Sequence, residues 1–269
     1  MPTLPIKLSR FRLVVLTVAS LLLVGAYFAA GYSRGFNHSY SPNRLTGLPD
    51  TILWAWERPE KLDYLDPQAT GVAFLAKTIY LRGDRVVSRP RLQPLSVPPG
   101  AQVIAVVRIE SERAEPPVLS AQQVNEAALE VSEASRLPNV AMVQVDFDAT
   151  TSERDFYRSL LTELRARLPQ STLLSITALA SWCKGDNWLD GLPIDEAVPM
   201  LFRMGVERKQ FLSQLAAGER FNAKLCQASA GISIDEPVAQ LPRVERVYVF
   251  NPTSWSPSQV NQVMKETRR

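Results

Sequence analysis

VAMVQVDFDATTSERDFYRSLLTELRARL, residues 140–168, is the stretch on which the fold turns. Its first part, Val140 to Thr150, is a nearly continuous apolar run that ends in two aspartates, the composition of a strand covered on both faces. In the second part Phe156, Leu160, Leu161, Leu164 and Leu168 recur at helical spacing, and Ser152 stands where an N-cap belongs. A buried strand passing into an amphipathic helix is the repeat of a parallel α/β architecture.

Working outward, the same kind of run recurs. Before it come ILWAWER (52–58), VAFLAKTIYLR (72–82) and VIAVVRIE (103–110); after it come TLLSITALAS (172–181), AVPMLFRMG (197–205), AGISIDEP (230–237) and RVYVFNP (246–252). Eight runs are the count of a closed (β/α)8 barrel. The spacers are uneven. LSAQQVNEAALEVSEASR (119–136) is helical, VERKQFLSQLAAG (206–218) is a helix ending on Gly218 as a C-cap, and SPSQVNQVMKETRR (256–269) is another. EKLDYL (60–65) allows about a turn and a half, and DNWLDGLPIDE is also short. DRVVSRPRLQPLSVPPGA (84–101) is too proline-rich for a helix; it reads as a hairpin arm turning at Arg82–Gly83–Asp84, then an extended segment. The expectation is a small (β/α)8 TIM-like barrel over residues 51–269 with some crossover helices missing. An open parallel α/β sheet is the alternative.

Ahead of that domain, residues 1–12 hold Lys7, Arg10 and Arg12, residues 13–32 (LVVLTVASLLLVGAYFAAGY) are uncharged, and 33–50 form a polar juxtamembrane linker. An apolar helix of ~20 residues spans a bilayer, and basic residues on its leading side keep that end in the cytoplasm. One N-terminal hydrophobic helix is therefore expected, a signal anchor or a signal peptide. It would make the barrel extracytoplasmic, periplasmic or at the cell surface, and anchor it in the inner membrane. Ala29, Ala30 and Gly31 leave cleavage open.

The formal net charge is only +3 and the basic residues are scattered, which argues against nucleic acid as a partner. The single histidine, His38, lies in the linker, so the barrel has none for a Ser-His-Asp or Cys-His mechanism or a His-rich zinc site. Acid–base chemistry falls to carboxylates, Tyr or Lys, and no cofactor or metal is called for. Cys183 and Cys226 either pair in an oxidising compartment or remain two thiols.

In a barrel of this kind the site lies at the C-terminal ends of the strands. Polar residues gather there: Glu57 and Arg58, Lys77, Arg108 and Glu110, Asp146 and Asp148, Ser181, Arg203, Asp235 and Glu236, and Asn251. Strand alternation puts Gln144, Asp146 and Asp148 on one face. Two like charges so placed raise the pKa of one, which yields an acid and a base at neutral pH. The bland alternative is a buried ion network of these aspartates with Arg108, Arg203 or Lys77. All five tryptophans fall in or just after strands, and Trp56, Trp182 and Trp255 suit a cleft that stacks sugar rings.

The motifs WAWERPE (54–60), QVDFDATTSERDFY (144–157), SITALASWC (175–183) and VPMLFRMG (198–205) together resemble an uncharacterised bacterial family, a domain of unknown function, over about residues 50–255. A weaker resemblance is to chitinase-type glycoside hydrolases, whose barrels carry D-x-x-D-x-D-x-E at the end of the fourth strand. Asp146 and Asp148 match its second and third aspartates; Val143 and Thr150 stand where the first aspartate and the glutamate acid would be. A hydrolase would draw its acid from Glu57, Glu153 or the Asp235–Glu236 pair.

The expected function is an extracytoplasmic glycoside hydrolase-like protein acting on a polysaccharide or cell-envelope glycan. Asp146 and Asp148 would be the central pair, Glu57 or Glu236 the partner, and Arg108 and Arg203 would hold substrate. A non-catalytic glycan- or envelope-binding barrel is the first alternative. A metal-dependent hydrolase built on Asp146, Asp148 and Asp235 is the second.

Overall fold

The computed structural model describes residues 42–206 and 208–267. The basic segment 1–12, the apolar stretch 13–32 and linker residues 33–41 lie outside them. Among the described residues no helix is long and apolar enough to cross a membrane.

The strands in chain order are β1 (Thr51–Ala55), β2 (Glu60–Lys61), β3 (Thr70–Arg82), β4 (Arg85–Pro90), β5 (Leu95–Ser96) and β6 (Val103–Ser111), then β7 (Val140–Asp146), β8 (Leu173–Leu179), β9 (Glu196–Met200), β10 (Ser229–Ser233) and β11 (Arg246–Phe250). Eight of them follow one another in parallel, β1, β3, β6, β7, β8, β9, β10 and β11. Pairing of β1 with β3, from Thr51↔Thr70 to Ala55↔Phe74, closes the ring and rules out the open sheet. Each of the eight apolar runs supplies one stave. Their near-continuous burial has a simple cause, because the interior covers one face and the outer layer the other.

The helices are α1 (Ala121–Glu133), α2 (Arg154–Arg167), α3 (Ala180–Gly185), α4 (Arg208–Ala216) and α5 (Pro257–Thr267). Ser120 caps α1 through a reciprocal box with Gln123. The start of α2 differs from expectation. Glu153 stands at its N-cap position; Thr150, not Ser152, caps the 3-10 turn Thr151–Glu153 that leads into it, and the Thr150 amide donates to the Glu153 carboxylate. Gly218, at φ +93°, ends the α4 segment in the left-handed conformation that a C-cap glycine favours. Gly83, at φ +53°, begins the two-residue loop of the expected β3–β4 hairpin. EKLDYL forms no helix; its first residues pair as β2 with β5.

Three apolar layers result. The largest lies between the barrel and α1, α2 and α4, with Tyr157, Leu160 and Leu164 fully buried in it. A second fills the barrel interior, and a third covers β1, β3 and β11 beneath α5. Cys183 of α3 and Cys226 form a disulfide with Cα atoms 5.8 Å apart. At the N-terminal end of the barrel, a 3-10 turn, Pro42–Leu45, leads into a plug in which Leu45 and Leu48 join Ile52, Met142 and Tyr248. Arg246 of β11 bolts this plug down by donating to the carbonyls of Leu45 (2.8 Å), Leu48 (3.4 Å) and Pro49 (3.0 Å).

Candidate active site

The barrel interior is wired with hydrogen bonds. Glu196, at the start of β9 and fully buried, accepts from Tyr248 (2.8 Å), Ser175 (3.1 Å), Ser229 and Arg246 (3.3 Å). Burial first, then Glu196, push the Tyr248 hydroxyl well above its ordinary pKa, so it remains a donor. Gln144 of β7 donates to Ser175 (3.2 Å) and accepts from the Trp54 indole (2.9 Å). Gly231 makes room for that indole: a Cβ there would lie 2.9 Å from Trp54 Cη2. Trp54 is thereby fixed as the floor of a cleft.

That cleft, about 660 Å³, opens at the C-terminal ends of the strands. Its aromatic wall is Trp54, Trp56, Phe202 and Phe250. Phe202 and Phe250 stack with ring centroids 5.5 Å apart, and Trp56 meets Phe250 edge-on at 6.2 Å. Asp146, the last residue of β7, is buried beside it and accepts from Thr177 of β8 (2.6 Å) and from Arg108 of β6 (3.3 Å). Arg108 also donates to Glu110 (2.6 Å) and lies 5.9 Å from the Trp56 ring centre. Asp148 stands just beyond the strand end, exposed at the rim.

Burial pushes the Asp146 carboxyl above its ordinary pKa; Arg108 pulls it down, and the neighbouring Asp148 pushes it up again. Asp148 is raised as well, by the protein desolvating one side of its carboxyl, with Arg108 opposing. Desolvation would lower the pKa of Arg108, but Asp146 and then Glu110 outweigh it and hold the guanidinium charged. The resulting arrangement is a carboxyl pair, inclined to retain a proton, beside a fixed cation and an aromatic wall.

Other expected site residues fall elsewhere. Glu57 pairs with Arg89 of the hairpin at 2.8 Å and does not line the cleft. Asp235 and Glu236 are drawn to Arg203, at 2.8 and 3.1 Å, and the Arg203 backbone amide also donates to Glu236. Arg203 lines the cleft, but its guanidinium is turned onto those two acids. Lys77 faces outward to Glu130 and Glu133 of α1, because the β3 ladder slips by one residue between Leu75 and Lys77. Trp182 and Trp255 are corrected from cleft to core. The chain enters α3 directly after β8, which turns Trp182 back against Trp188 at 4.9 Å. Trp255 donates to the Trp54 carbonyl beneath α5. Among the described residues no three acidic, Cys or His side chains are grouped to hold a metal ion, and Asp235 is not beside the aspartate pair in the cleft.

Residues 99–200 match DUF3142, a domain of unknown function. The DUF3142 segment covers β6 through β9. It therefore includes Arg108, Asp146, Asp148 and Thr177, whereas Trp54, Trp56, Phe202 and Phe250 lie outside it. It is shorter than the span of the motifs, since WAWERPE precedes it. The chain is similar in structure to a GH18 chitinase from Pseudoalteromonas aurantia, with 12% identity and a TM-score of 0.52 over 81% of this chain and 100% of that one. It also superposes on the spore cortex-lytic enzyme SleL of Bacillus cereus, with 13% identity and a TM-score of 0.44 over 69% of this chain and 52% of that one. At such identities the GH18 chitinase shows a shared barrel fold and nothing finer. No curated protein matches the chain.

Proposed function

We propose that this barrel is a glycoside hydrolase-like enzyme that cleaves a cell-envelope or exported polysaccharide, with Asp146 and Asp148 as its acid–base pair. The carrying observation is that both carboxyls are shifted upward at one end of an aromatic cleft, on the barrel face where such sites lie. Asp146, more deeply buried, holds the proton and donates it to the leaving oxygen. Asp148, open to solvent, either deprotonates the attacking water or itself attacks the anomeric carbon as the bond to the leaving oxygen breaks, water then releasing the glycosyl group. Trp56 and Phe250 offer flat faces to sugar rings, and Arg108 fixes the orientation of Asp146. Of the further carboxyls near the pair, Glu110 is held by Arg108, and Glu153 is committed to Thr150 and Ser111.

The Cys183–Cys226 disulfide suits an oxidising compartment, and the apolar stretch 13–32 suits an export segment. Both support an extracytoplasmic protein organised as a basic segment, a hydrophobic helix, a linker and a barrel. A reporter fused after residue 50, active only when exported, tests that placement.

The catalytic test is turnover of bacterial cell-wall and exopolysaccharide glycans by the purified protein. Asp148→Asn should lower turnover by about 10²–10⁴-fold while glycan binding persists. Binding without product for every glycan would instead favour a non-catalytic glycan-binding barrel. The observation behind that second reading is that position 150 is Thr and that Glu57 and Glu236 are held by arginines.

A further inference from the structure

Beyond the aromatic floor, one side of the cleft is lined by Leu179, Met200, Met204 and Val206. Arg203 interrupts this wall in sequence, but its guanidinium is paired with Asp235 and Glu236. Thr177 and Ser181 aside, the side chains of this wall offer little to a hydroxyl, and a sugar edge desolvated against it leaves hydroxyls unpartnered. Nor do methionine, leucine and valine present the flat face on which a pyranose stacks. Leu179 is 38% exposed and Val206 fully exposed, so an apolar border stands in water beside the same opening. Isolated exposed hydrophobics are ordinary; two bordering one cleft that also holds two methionines are not.

Across the aspartate pair the surface is more polar. A second groove, about 470 Å³, shares Arg108, Asp146 and Asp148 with the cleft and continues over Ser111, Glu112, Arg113 and Thr150, as well as Pro116, Pro117 and Phe147. The more polar and the apolar halves meet at the carboxyls.

We propose that the cleft takes an amphiphilic glycoconjugate, with its saccharide over Asp146, Asp148 and the polar groove and its hydrocarbon chain along Leu179, Met200, Met204 and Val206. The polar half of this assignment rests on the glycan reading above; the apolar half rests on the wall itself, which is continuous with the pair. Unbranched methionines suit a chain of variable shape.

The test is a tryptophan-fluorescence titration of the full-length protein, reporting Trp54 and Trp56, with n-alkyl glucosides and n-alkyl N-acetylglucosaminides of four to ten carbons below their micelle concentrations. Affinity should rise about two- to fourfold per added methylene, the upper figure being that of complete burial. Met204→Glu should flatten that rise. Leu179→Glu, at an already exposed strand end, should do the same and stands in if Met204→Glu fails to fold. Affinity independent of chain length, or a rise unchanged in both variants, overturns the proposal; the latter would place the chain elsewhere, such as on residues 13–32. Glycan turnover without chain dependence would remove this inference and leave the hydrolase. Chain-dependent binding with no turnover of any glycan would do the reverse.

Discussion

The two ends of the barrel each bury a carboxylate beside an arginine, and they use the pair differently. At the closed end Glu196 receives donors from Tyr248, Ser175, Ser229 and Arg246, and the remaining Arg246 donors are taken by carbonyls of the plug. At the mouth Asp146 receives two, from Thr177 and Arg108, and has Asp148 and an open cleft beside it. A buried charge with a full set of partners is a structural joint. One with an incomplete set next to a cavity keeps chemistry available.

Removing one partner at each end breaks or sharpens this contrast. Arg246→Ala leaves Glu196 buried without its cation and should cost about 3–5 kcal/mol by urea unfolding. Arg108→Ala should cost no more than about 1–2 kcal/mol, because Arg108 is partly open to solvent and Asp146 borders a cleft from which water can replace it, whereas Arg246 and Glu196 are both buried. Equal losses would abolish the distinction between the two ends. Between these lies the disulfide, which ties α3 to the 3-10 turn ahead of β10. Cys183→Ser with Cys226→Ser opens a loop of sequence separation 43 and should lower stability by up to about 4 kcal/mol, read as a fall in Tm.

The smallest effect is one of pH. Asp146 has a folded pKa above its ordinary 3.8, so the stability that it contributes is complete below that value and is lost as pH rises through the folded pKa. Asp146→Asn removes this dependence. The Tm of the variant relative to the native protein should climb across that window, and a difference constant with pH would show that the mouth carboxyl does not titrate as described.

Much of the fold was legible because a closed barrel buries both faces of every stave, and that leaves eight apolar runs in the sequence. Asp146 and Asp148 were legible for a local reason: they interrupt such a run at its end. Alternation misplaced Asp148 slightly, since β7 stops at Asp146. Glu196 was not legible. It reads as the tail of the short loop DNWLDGLPIDE, and its partners come from β8, β10 and β11, a meeting that only ring closure creates. Trp182 and Trp255 were misjudged because polar neighbours in sequence do not determine which way a ring turns. Thr177, Phe202 and Phe250 were missed as cleft residues; Phe202 and Phe250 lie near the ends of apolar runs, which was their available signal, whereas Thr177 is a lone hydroxyl inside one.

The Arg246 bolt has a mechanical consequence. Residues 42–50 are not slack. Arg246 grips three of their carbonyls, and Arg44 reaches Asp195 at 2.5 Å, so any pull on the chain ahead of residue 42 is delivered to the barrel wall at β11 and β9. The pull enters through the end opposite the cleft.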